Sequence, residues 1–311
     1  MKTKFAHKAA LFNNKLMKKI SLLFILLLAF AGTLSAKTFT VFILCGQSNS
    51  LGAIKGNPAD EEKMKPEPKM LFWHKNFGAY CRGPKSTEWG KIEPQKEAQI
   101  VMGPEYGFGQ MLQKKANKKY PPATTGILKA SRDGGGNGNW LKPGDENSCP
   151  PRSDDYLGYN NLISAAQESF AALEKEGFDC VEVAALLYLQ GESNSGKEVS
   201  EAGTRFKKFY NNLKNDLAKL KIKGLKVSTE KMVAIIGEPA TFGDKETEFE
   251  GTTTSKELKK IAEANKKIFI YVPTRDLPKI KKGDNMGVHY DGNSQIKIGH
   301  RFAEAYLNLT T

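Results

Sequence analysis

The stretch VFILCGQSNSLGA, residues 41–53, decides the fold. Its apolar run stops at Gly46 and is followed at once by Gln47, Ser48 and Asn49. A short apolar run of this kind is typical of a buried strand, and a glycine beside polar residues is typical of a turn. The stretch therefore predicts a strand that leads into a functional loop, and Ser48 becomes a candidate nucleophile, with a short helix cap as its alternative role.

Apolar runs and amphipathic patterns alternate along the rest of the chain. The predicted strands are Thr38–Cys45, Gly126–Ser131, Val181–Gln190, Met232–Gly237 and Ile268–Pro273. The predicted helices are Tyr106–Lys119, Tyr159–Glu176, Glu201–Leu220, Ser255–Lys267 and Ser294–Leu309. This alternation predicts an α/β fold, a doubly wound parallel sheet in three layers with helices on both faces. Ligands of such sheets collect at the carboxyl ends of the strands, where residues 46–49 would lie.

The first 36 residues have the pattern of a secretory signal peptide. Six lysines precede the apolar run Ile20–Phe30, and the small-residue stretch Ala31–Ala36 follows it. An uncleaved anchor is the alternative, and Met17 is an alternative start. We expect cleavage after Ala36, a secreted or periplasmic protein without stable membrane insertion, and a single domain over residues 37–311.

The charge pattern argues against a nucleic-acid partner. The formal net charge is +13, but the first 36 residues hold six lysines and no acid, so it falls to +7 after cleavage. The remaining lysines are spread along amphipathic patterns, and no basic cluster is interleaved with aromatic residues. The sequence carries no signal for the oligomeric state.

Cysteine usage and motif spacing predict neither a metal nor an organic cofactor. Cys45 and Cys180 lie in apolar runs and are expected to be buried, whereas Cys81 and Cys149 lie in loop-like segments and could pair. That pairing stays open at this point. The chain has no CxxC and no HExxH, so it lacks metal-ligand spacing.

A candidate base lies near the end of the chain, in GVHYDGNSQIKIGHRFAEAY, residues 287–306. His289 precedes a predicted helix that Asp291 or Asn293 could cap. A histidine in such a loop can reach the carboxyl edge of the sheet and accept a proton from a serine. The alternative is a surface histidine that makes local hydrogen bonds.

A third polar segment follows another apolar run in LYLQGESNSG, residues 187–196. Gln190 offers N–H donors for an oxyanion, and Glu192 offers a carboxylate that can orient an imidazole. Both would lie near Ser48 if the strands 38–45 and 181–190 are neighbours. The alternative is that Glu192 and Ser193 only favour the positive end of a helix.

A glycine-rich loop forms the fourth segment, ASRDGGGNGNWLKPG, residues 130–144. Its glycines allow backbone N–H groups to approach a ligand closely, although it lacks the spacing of a phosphate-binding P-loop. Trp140 could stack on a sugar ring or, equally, pack over the loop.

Together these segments resemble the SGNH-hydrolase superfamily. The likeness is greatest to its carbohydrate-esterase branch, which contains sialate O-acetylesterases and the acetylxylan esterases of carbohydrate esterase family six. The motifs that carry it are GQSN (46–49), GPEYGFGQML (103–112), GGGNGNW (134–140), QGES (190–193) and HYDGNSQIKIGHRFA (289–303). They follow the family's order over nearly the whole mature chain and imply a flavodoxin-like sheet.

The resemblance implies a role for each matching residue. Ser48 matches the nucleophile and His289 the base. The oxyanion donors would be the Ser48 backbone N–H, a backbone N–H of Gly134 or Gly135, and the Gln190 side chain. Gln47, Asn49 and Trp140 are expected to contact the substrate.

The sequence departs from the family pattern at the catalytic acid. Many members carry an aspartate three residues before the histidine, where this chain has Met286. Glu192 matches the glutamate that serves as the acid in some relatives, and we take it as the third member of the triad. Asp284 is the reserve candidate.

The implied activity is a serine O-acetylesterase that removes acetyl groups from a polysaccharide or sialoglycan by two-step acyl transfer. The partner is an acetylated carbohydrate, and neither a cofactor nor a metal is needed. Two alternatives remain: a glycan-binding protein that has lost catalysis, and an exported short-chain lipid esterase or thioesterase. The absence of a G-x-S-x-G motif argues against an α/β-hydrolase lipase.

Overall fold

An eight-stranded β-sheet forms the centre of the molecule. The computed structural model describes residues 36–54, 57–76, 85–93, 100–148, 158–241, 250–280 and 287–310, and residues 38–311 form one compact unit. The strands are β1 (Thr38–Gly46), β2 (Ala53–Ile54), β3 (Leu71–His74), β4 (Gly90–Lys91), β5 (Ile100–Met102), β6 (Thr125–Ser131), β7 (Cys180–Leu189), β8 (Lys226–Ser228), β9 (Val233–Gly237) and β10 (Phe269–Val272).

The sheet places β1 at its middle. The strand order is β10-β9-β7-β1-β6-β3-β4, with β8 alongside β7, while β2 and β5 form a separate antiparallel pair. All pairs of the large sheet are parallel except β3 with β4. Gly46 at the end of β1 lies opposite Ser131 on β6 and Leu189 on β7. Three strands therefore end side by side at one edge.

Helices cover both faces of the sheet. They are α1 (Ser48–Leu51), α2 (Pro104–Ala116), α3 (Gly158–Lys175), α4 (Lys197–Ser200), α5 (Ala202–Ala218), α6 (Glu250–Ala264) and α7 (Gly292–Thr310). Buried residues of α3, α5 and α6 belong to one core cluster, and those of α2 and α7 to a second. This confirms the predicted three-layer α/β fold.

The central strand β1 shows why the sequence folds this way. Val41 and Ile43 lie in the cluster under α3 and α5, whereas Phe42 and Leu44 lie in the cluster under α2 and α7. Successive side chains of a strand point to opposite faces, so a continuous apolar run is buried on both sides. Each such side chain contributes about 1.5–3 kcal/mol through its burial.

Close glycine contacts fix α7 against α2. A Cβ atom on Gly107 would lie 2.0 Å from the Ile296 carbonyl oxygen, and one on Gly299 would lie 2.1 Å from that of Pro104. Only glycine permits such an approach of two backbones. The start of α7, which follows His289, is thereby held in a fixed place.

The five predicted strands and five predicted helices all correspond to observed elements. The sequence analysis did not predict the short strands β2, β3, β4, β5 and β8. Cys45 is buried and Cys180 half-buried, both as free thiols, and burial raises the pKa of the Cys45 thiol. The predictions for residues 1–35, Cys81, Cys149 and Asp284 lie outside the described residues. None of the described helices has the length and apolarity that a membrane crossing requires.

Candidate active site

The candidate site lies at the carboxyl ends of β1 and β7. The Gln47 backbone N–H donates to the Leu189 carbonyl oxygen at 3.1 Å, which joins the turns that follow the two strands. Gly46 has φ of +143°, and a Cβ atom there would lie 1.9 Å from that same oxygen. A glycine is therefore required where the chain leaves β1, which explains the abrupt end of its apolar run.

Ser48 is the accessible residue of the turn that follows β1. Within residues 47–51 it is half-buried, whereas Gln47, Asn49, Ser50 and Leu51 are buried. Ser48 begins α1, and its backbone N–H makes no hydrogen bond with a described residue. The first N–H groups of a helix are left without intrahelical acceptors. Ser48 thus presents a hydroxyl and a nearby N–H donor at the same edge.

Asn49 joins three distant segments beside Ser48. Its side-chain Nδ2 donates to Glu192 Oε1 at 2.8 Å and to the Val288 carbonyl oxygen at 3.1 Å. Its Oδ1 accepts from the Tyr290 backbone N–H at 3.1 Å. Val288 and Tyr290 flank His289. The Asn49 side chain therefore holds the backbone on both sides of the candidate base, and Asn49 directly follows Ser48 in the chain.

His289 is 7% exposed and belongs to a short, well-bonded loop. Its carbonyl oxygen accepts from the Ile280 backbone N–H at 2.9 Å. Asp291 Oδ1 accepts from the Ser294 backbone N–H at 2.8 Å, which confirms Asp291 as a cap of α7. The loop between His289 and α7 is therefore anchored at both ends.

The Glu192 carboxylate is buried beside His289. Burial raises its pKa, while hydrogen bonds from Asn49 and the Ala240 backbone N–H, and then the charge of His289, act in the opposite direction. Oε1 accepts both of those hydrogen bonds, at 2.8 and 3.3 Å. Oε2 is buried and makes no hydrogen bond with a described residue. Glu192 therefore has a fixed orientation and one carboxylate oxygen that makes no hydrogen bond with a described residue.

The glycine-rich loop reaches the same edge through Gln190. Gln190 Nε2 donates to Gln47 Oε1 at 3.0 Å and to the Gly135 carbonyl oxygen at 2.9 Å, and its Oε1 accepts from Trp140 Nε1 at 2.9 Å. Gly134 and Gly135 have φ of +58° and +80°. A Cβ atom on Gly134 would meet no heavy atom within 4 Å, so open space adjoins this residue.

Three of the predicted contacts need correction. Both N–H groups of Gln190 are used within the protein, so its side chain positions the glycine loop and does not supply an oxyanion donor. Trp140 is 0% exposed, and its ring packs on that of Phe209 with 5.7 Å between the ring centroids, so it offers no face to a sugar. Asn49 is fully buried and satisfied as described above, and is a structural link instead of a substrate contact.

Gln47 is a fourth predicted contact that needs correction, because its side chain forms hydrogen bonds within the protein. Its Oε1 accepts from the Gly191 and Ser193 backbone N–H groups at 3.3 and 3.1 Å, as well as from Gln190. Its Nε2 donates to Ser193 Oγ at 3.1 Å. These bonds fasten the turn after β1 to the turn after β7, and burial leaves Gln47 no surface for substrate.

The sequence analysis missed a buried ion pair beneath α1. Lys129 Nζ on β6 donates to Glu105 Oε2 and to the Leu51 carbonyl oxygen, both at 2.7 Å, and Glu105 Oε1 accepts from the Gly103 backbone N–H. The two side chains are only 3% and 6% exposed. The signal in the sequence is a single lysine inside the buried strand TGILKAS, since a buried charge needs a partner. Lys129 thereby holds the last residue of the helix that Ser48 begins.

The family of the chain follows from a sequence comparison. The profile of the family described as carbohydrate esterase, sialic acid-specific acetylesterase, matches residues 38–308. The chain belongs to this family. Its membership in the carbohydrate esterases makes it a hydrolase of that class and agrees with the resemblance found in the sequence.

Solved structures share the fold of this carbohydrate esterase. A protein of Arabidopsis thaliana superposes with a TM-score of 0.57 at 17% identity, over 86% of this chain and 98% of its own. NanS superposes with a TM-score of 0.54 at 14% identity, over 89% of this chain and 99% of its own. The chain matches no curated protein sequence. Within the described residues of the esterase, no group of three or more His, Cys, Asp or Glu side chains is arranged to hold a metal ion.

Proposed function

We propose that this carbohydrate esterase is an exported serine O-acetylesterase, with Ser48 as nucleophile, His289 as general base and Glu192 as the acid that orients the imidazole. The observation that carries the proposal is the set of hydrogen bonds from Asn49. That one side chain is adjacent to Ser48 in the chain, bonds Glu192 and holds both neighbours of His289.

The first step acylates the enzyme. Ser48 Oγ attacks the acetyl carbonyl carbon while His289 accepts the hydroxyl proton. The carbonyl oxygen becomes an oxyanion, and the N–H groups of Ser48 and of Gly134 or Gly135 are the donors we assign to it. Each such donor lowers the barrier by about 3 kcal/mol. The tetrahedral intermediate then breaks its bond to the sugar oxygen, which leaves with the proton from His289.

The second step returns the enzyme to its starting state. A water molecule attacks the acetyl-serine carbonyl carbon as His289 takes one of its protons. The bond from the carbonyl carbon to Ser48 Oγ breaks, Oγ recovers the proton, and acetate is released. No redox change or co-reactant other than water is involved.

Glu192 supports the charge that appears on His289 in both steps. Its uncommitted Oε2 is the oxygen we assign as acceptor for the imidazole N–H, which fixes the tautomer with the other nitrogen facing Ser48. Asp284 remains the alternative acid, since it precedes His289 by five residues in the sequence.

The substrate we propose is an O-acetylated polysaccharide or sialoglycan outside the cytoplasm. The family membership supports an acetylated carbohydrate, and the signal-peptide pattern of residues 1–36 supports export. The mature protein would then meet its substrate in the periplasm or the medium.

Acetate release from a panel of acetylated glycans tests this function. We expect Ser48→Ala to lower kcat by about 10⁴-fold or more at unchanged thermal stability. Ser195→Ala is the matched control, because Ser195 is an exposed serine after the QGES motif. Release that survives Ser48→Ala, or a wild type that binds glycans but releases no acetate from any of them, would reject the proposal.

A further inference from the structure

A groove beside the start of α7 carries a strong excess of positive charge. It has a volume of about 680 Å³ and lies between α2, α7 and the segment of residues 63–69. Five lysines line it: Lys63, Lys65, Lys69, Lys114 and Lys297. Among the residues that the structure describes, Glu67 is the one acidic residue that lines it. We call it the lysine groove.

Most lysines of the groove make no ion pair with a described residue. Lys63 Nζ pairs with Asp60 Oδ2 at 2.9 Å. The other four make no ion pair with any residue that the structure describes, and all five are exposed. The groove therefore concentrates cationic charge where two helices and a loop converge.

The pKa of a partly buried histidine at the groove depends on the charges near it. His300 lines it and contacts Gln110 Oε1 through Nε2 at 3.1 Å. Burial lowers the pKa of His300; the neighbouring Glu304 raises it, and Lys114 lowers it further. An anion bound beside Lys114 would raise this pKa, because it would stabilise the imidazolium form.

One end of the groove lies close along the chain to the candidate base His289. Asn293, four residues after His289, lines its near end and accepts a hydrogen bond from the Asp60 backbone N–H at 2.9 Å. From Asn293 to His300 the groove follows α7 for about 10 Å, at 1.5 Å per residue. A chain bound along α7 would therefore have one end near the loop that carries His289.

We propose that the lysine groove binds an anionic polysaccharide chain through its carboxylate or sulfate groups, and holds the chain that carries the acetyl ester next to Ser48. This inference rests on the proposed esterase function for its kinetic part only. Clustered lysines raise the local concentration of a polyanion, and the attraction weakens with salt. A neutral chain would gain nothing from the site.

Binding to unacetylated polymers tests the groove without any need for turnover. The probes are polygalacturonate, dextran sulfate and neutral dextran, with the wild type and the variant Lys65→Glu/Lys114→Glu/Lys297→Glu. We expect the wild type to bind at least one of the anionic polymers and not dextran, and the triple variant to bind it about tenfold more weakly or worse. The pKa of His300, followed by NMR, should rise when that polymer is added to the wild type.

The matched control reverses the charge of three exposed lysines in the opposite helix layer, Lys207→Glu/Lys219→Glu/Lys260→Glu. It has the same net charge as the groove variant. We expect it to bind as the wild type does, within about threefold. Equal loss in both triple variants, or binding no tighter than to dextran, would overturn the inference. So would attachment to phosphatidylglycerol vesicles without binding to either polymer, which would assign the groove to a membrane surface.

Kinetics separate this inference from the proposed function. All three proteins should hydrolyse p-nitrophenyl acetate equally, whereas kcat/KM on acetylated polygalacturonate or acetylated dextran sulfate should fall about tenfold in the groove variant alone. If the wild type hydrolysed no ester but still bound the polymers through the groove, the esterase proposal would fail and the groove would stand. If the variant lost polymer binding but kept full kcat/KM on the acetylated polymer, the positioning role of the groove would be wrong.

Discussion

At the scale of single residues, the candidate site depends on how burial changes each polar group. Gln47, Asn49 and Gln190 have the residue types of a substrate-binding loop, and the sequence predicts them as such. In the structure each one bonds across the site to a partner about 140 or more positions away, as with Asn49 and Glu192. The local sequence pattern shows that a polar residue follows a strand. It does not show which distant residue will form hydrogen bonds with that side chain. The place of Ser48 after β1 was predictable, because the apolar run stops at Gly46 and polar residues follow it.

Burial of Glu192 lowers the free energy of unfolding by an amount that depends on pH. Its pKa is raised on folding, so the folded protein binds the proton more tightly than the unfolded chain, and the ionised carboxylate destabilises the fold above the folded pKa. This destabilisation disappears as the pH falls from the pKa of Glu192 in the folded protein to its lower pKa in the unfolded chain. We expect Glu192→Gln to be more stable than the wild type near pH 8, and this advantage to shrink as the pH falls toward 4. Thermal unfolding across that range measures it, and an advantage that grows toward low pH would contradict the shift.

The choice between the two candidate acids is a kinetic prediction. Glu192→Gln keeps the shape of the side chain but removes its charge, so it should lower kcat by about 10²- to 10⁴-fold with little change in KM. Asp284→Asn is the matched change and should leave kcat within about threefold. Acetate release decides between them, and the reverse pattern would move the acid to Asp284.

At the scale of elements, the one-turn helix α1 needs support from outside. A single helical turn is not stable by itself, and here its two ends are fastened by different elements. Gln47 ties its start to the turn after β7, and Lys129 on β6 bonds the carbonyl oxygen of Leu51 at its end. The strands around it were predictable from continuous apolar runs. The pairing of Lys129 with Glu105 was not, because it depends on where α2 lies above β6.

Asn49→Ala should loosen three segments at once. It removes the bonds that Asn49 makes with the Tyr290 backbone N–H, the Val288 carbonyl oxygen and Glu192. A buried group that loses its partner costs about 1–3 kcal/mol, so we expect a loss of about 3 kcal/mol in the free energy of unfolding. Urea unfolding measures it. Asn212→Ala, which removes a half-buried bond to Asp145, is the control and should cost about 1 kcal/mol; equal losses would contradict the role of Asn49.

Lys129 should affect stability and nucleophile positioning separately. Lys129→Met leaves Glu105 as an unpaired buried charge and should cost about 3–5 kcal/mol. In Lys129→Met/Glu105→Gln the charge is gone, so most of the stability should return, but the Leu51 carbonyl is still released and the acylation rate of Ser48 should stay about tenfold low. Pre-steady-state bursts with p-nitrophenyl acetate measure that rate. A double variant that acylates as fast as the wild type would limit Lys129 to a structural role.

At the scale of the whole molecule, the strand order brings three chain regions to one edge. The alternation of strands and helices was sufficient to predict the layers, because crossover connections build parallel sheets. It did not give the strand order, so the meeting of residues 46–49 with residues 190–193 was predicted only on the condition that β1 and β7 are neighbours, as the structure shows them to be. The lysine groove escaped prediction because its lysines are spread from position 63 to position 297.

Export is a prediction about residues 1–36. If residues 1–36 are a signal peptide, the protein recovered from the periplasm or medium of a bacterial host should begin at Lys37. Intact-mass measurement and N-terminal sequencing check this. A full-length chain retained in the membrane fraction would instead support the uncleaved anchor.

Covalent capture of the nucleophile tests the central claim most directly. An organophosphate such as diethyl p-nitrophenyl phosphate reacts with a serine hydroxyl that a neighbouring base activates. Peptide mass spectrometry of the treated wild type should find one adduct, on Ser48, and His289→Ala should slow its formation by about 10²-fold or more. No adduct on Ser48, or an adduct that forms at the same rate in His289→Ala, would contradict the account.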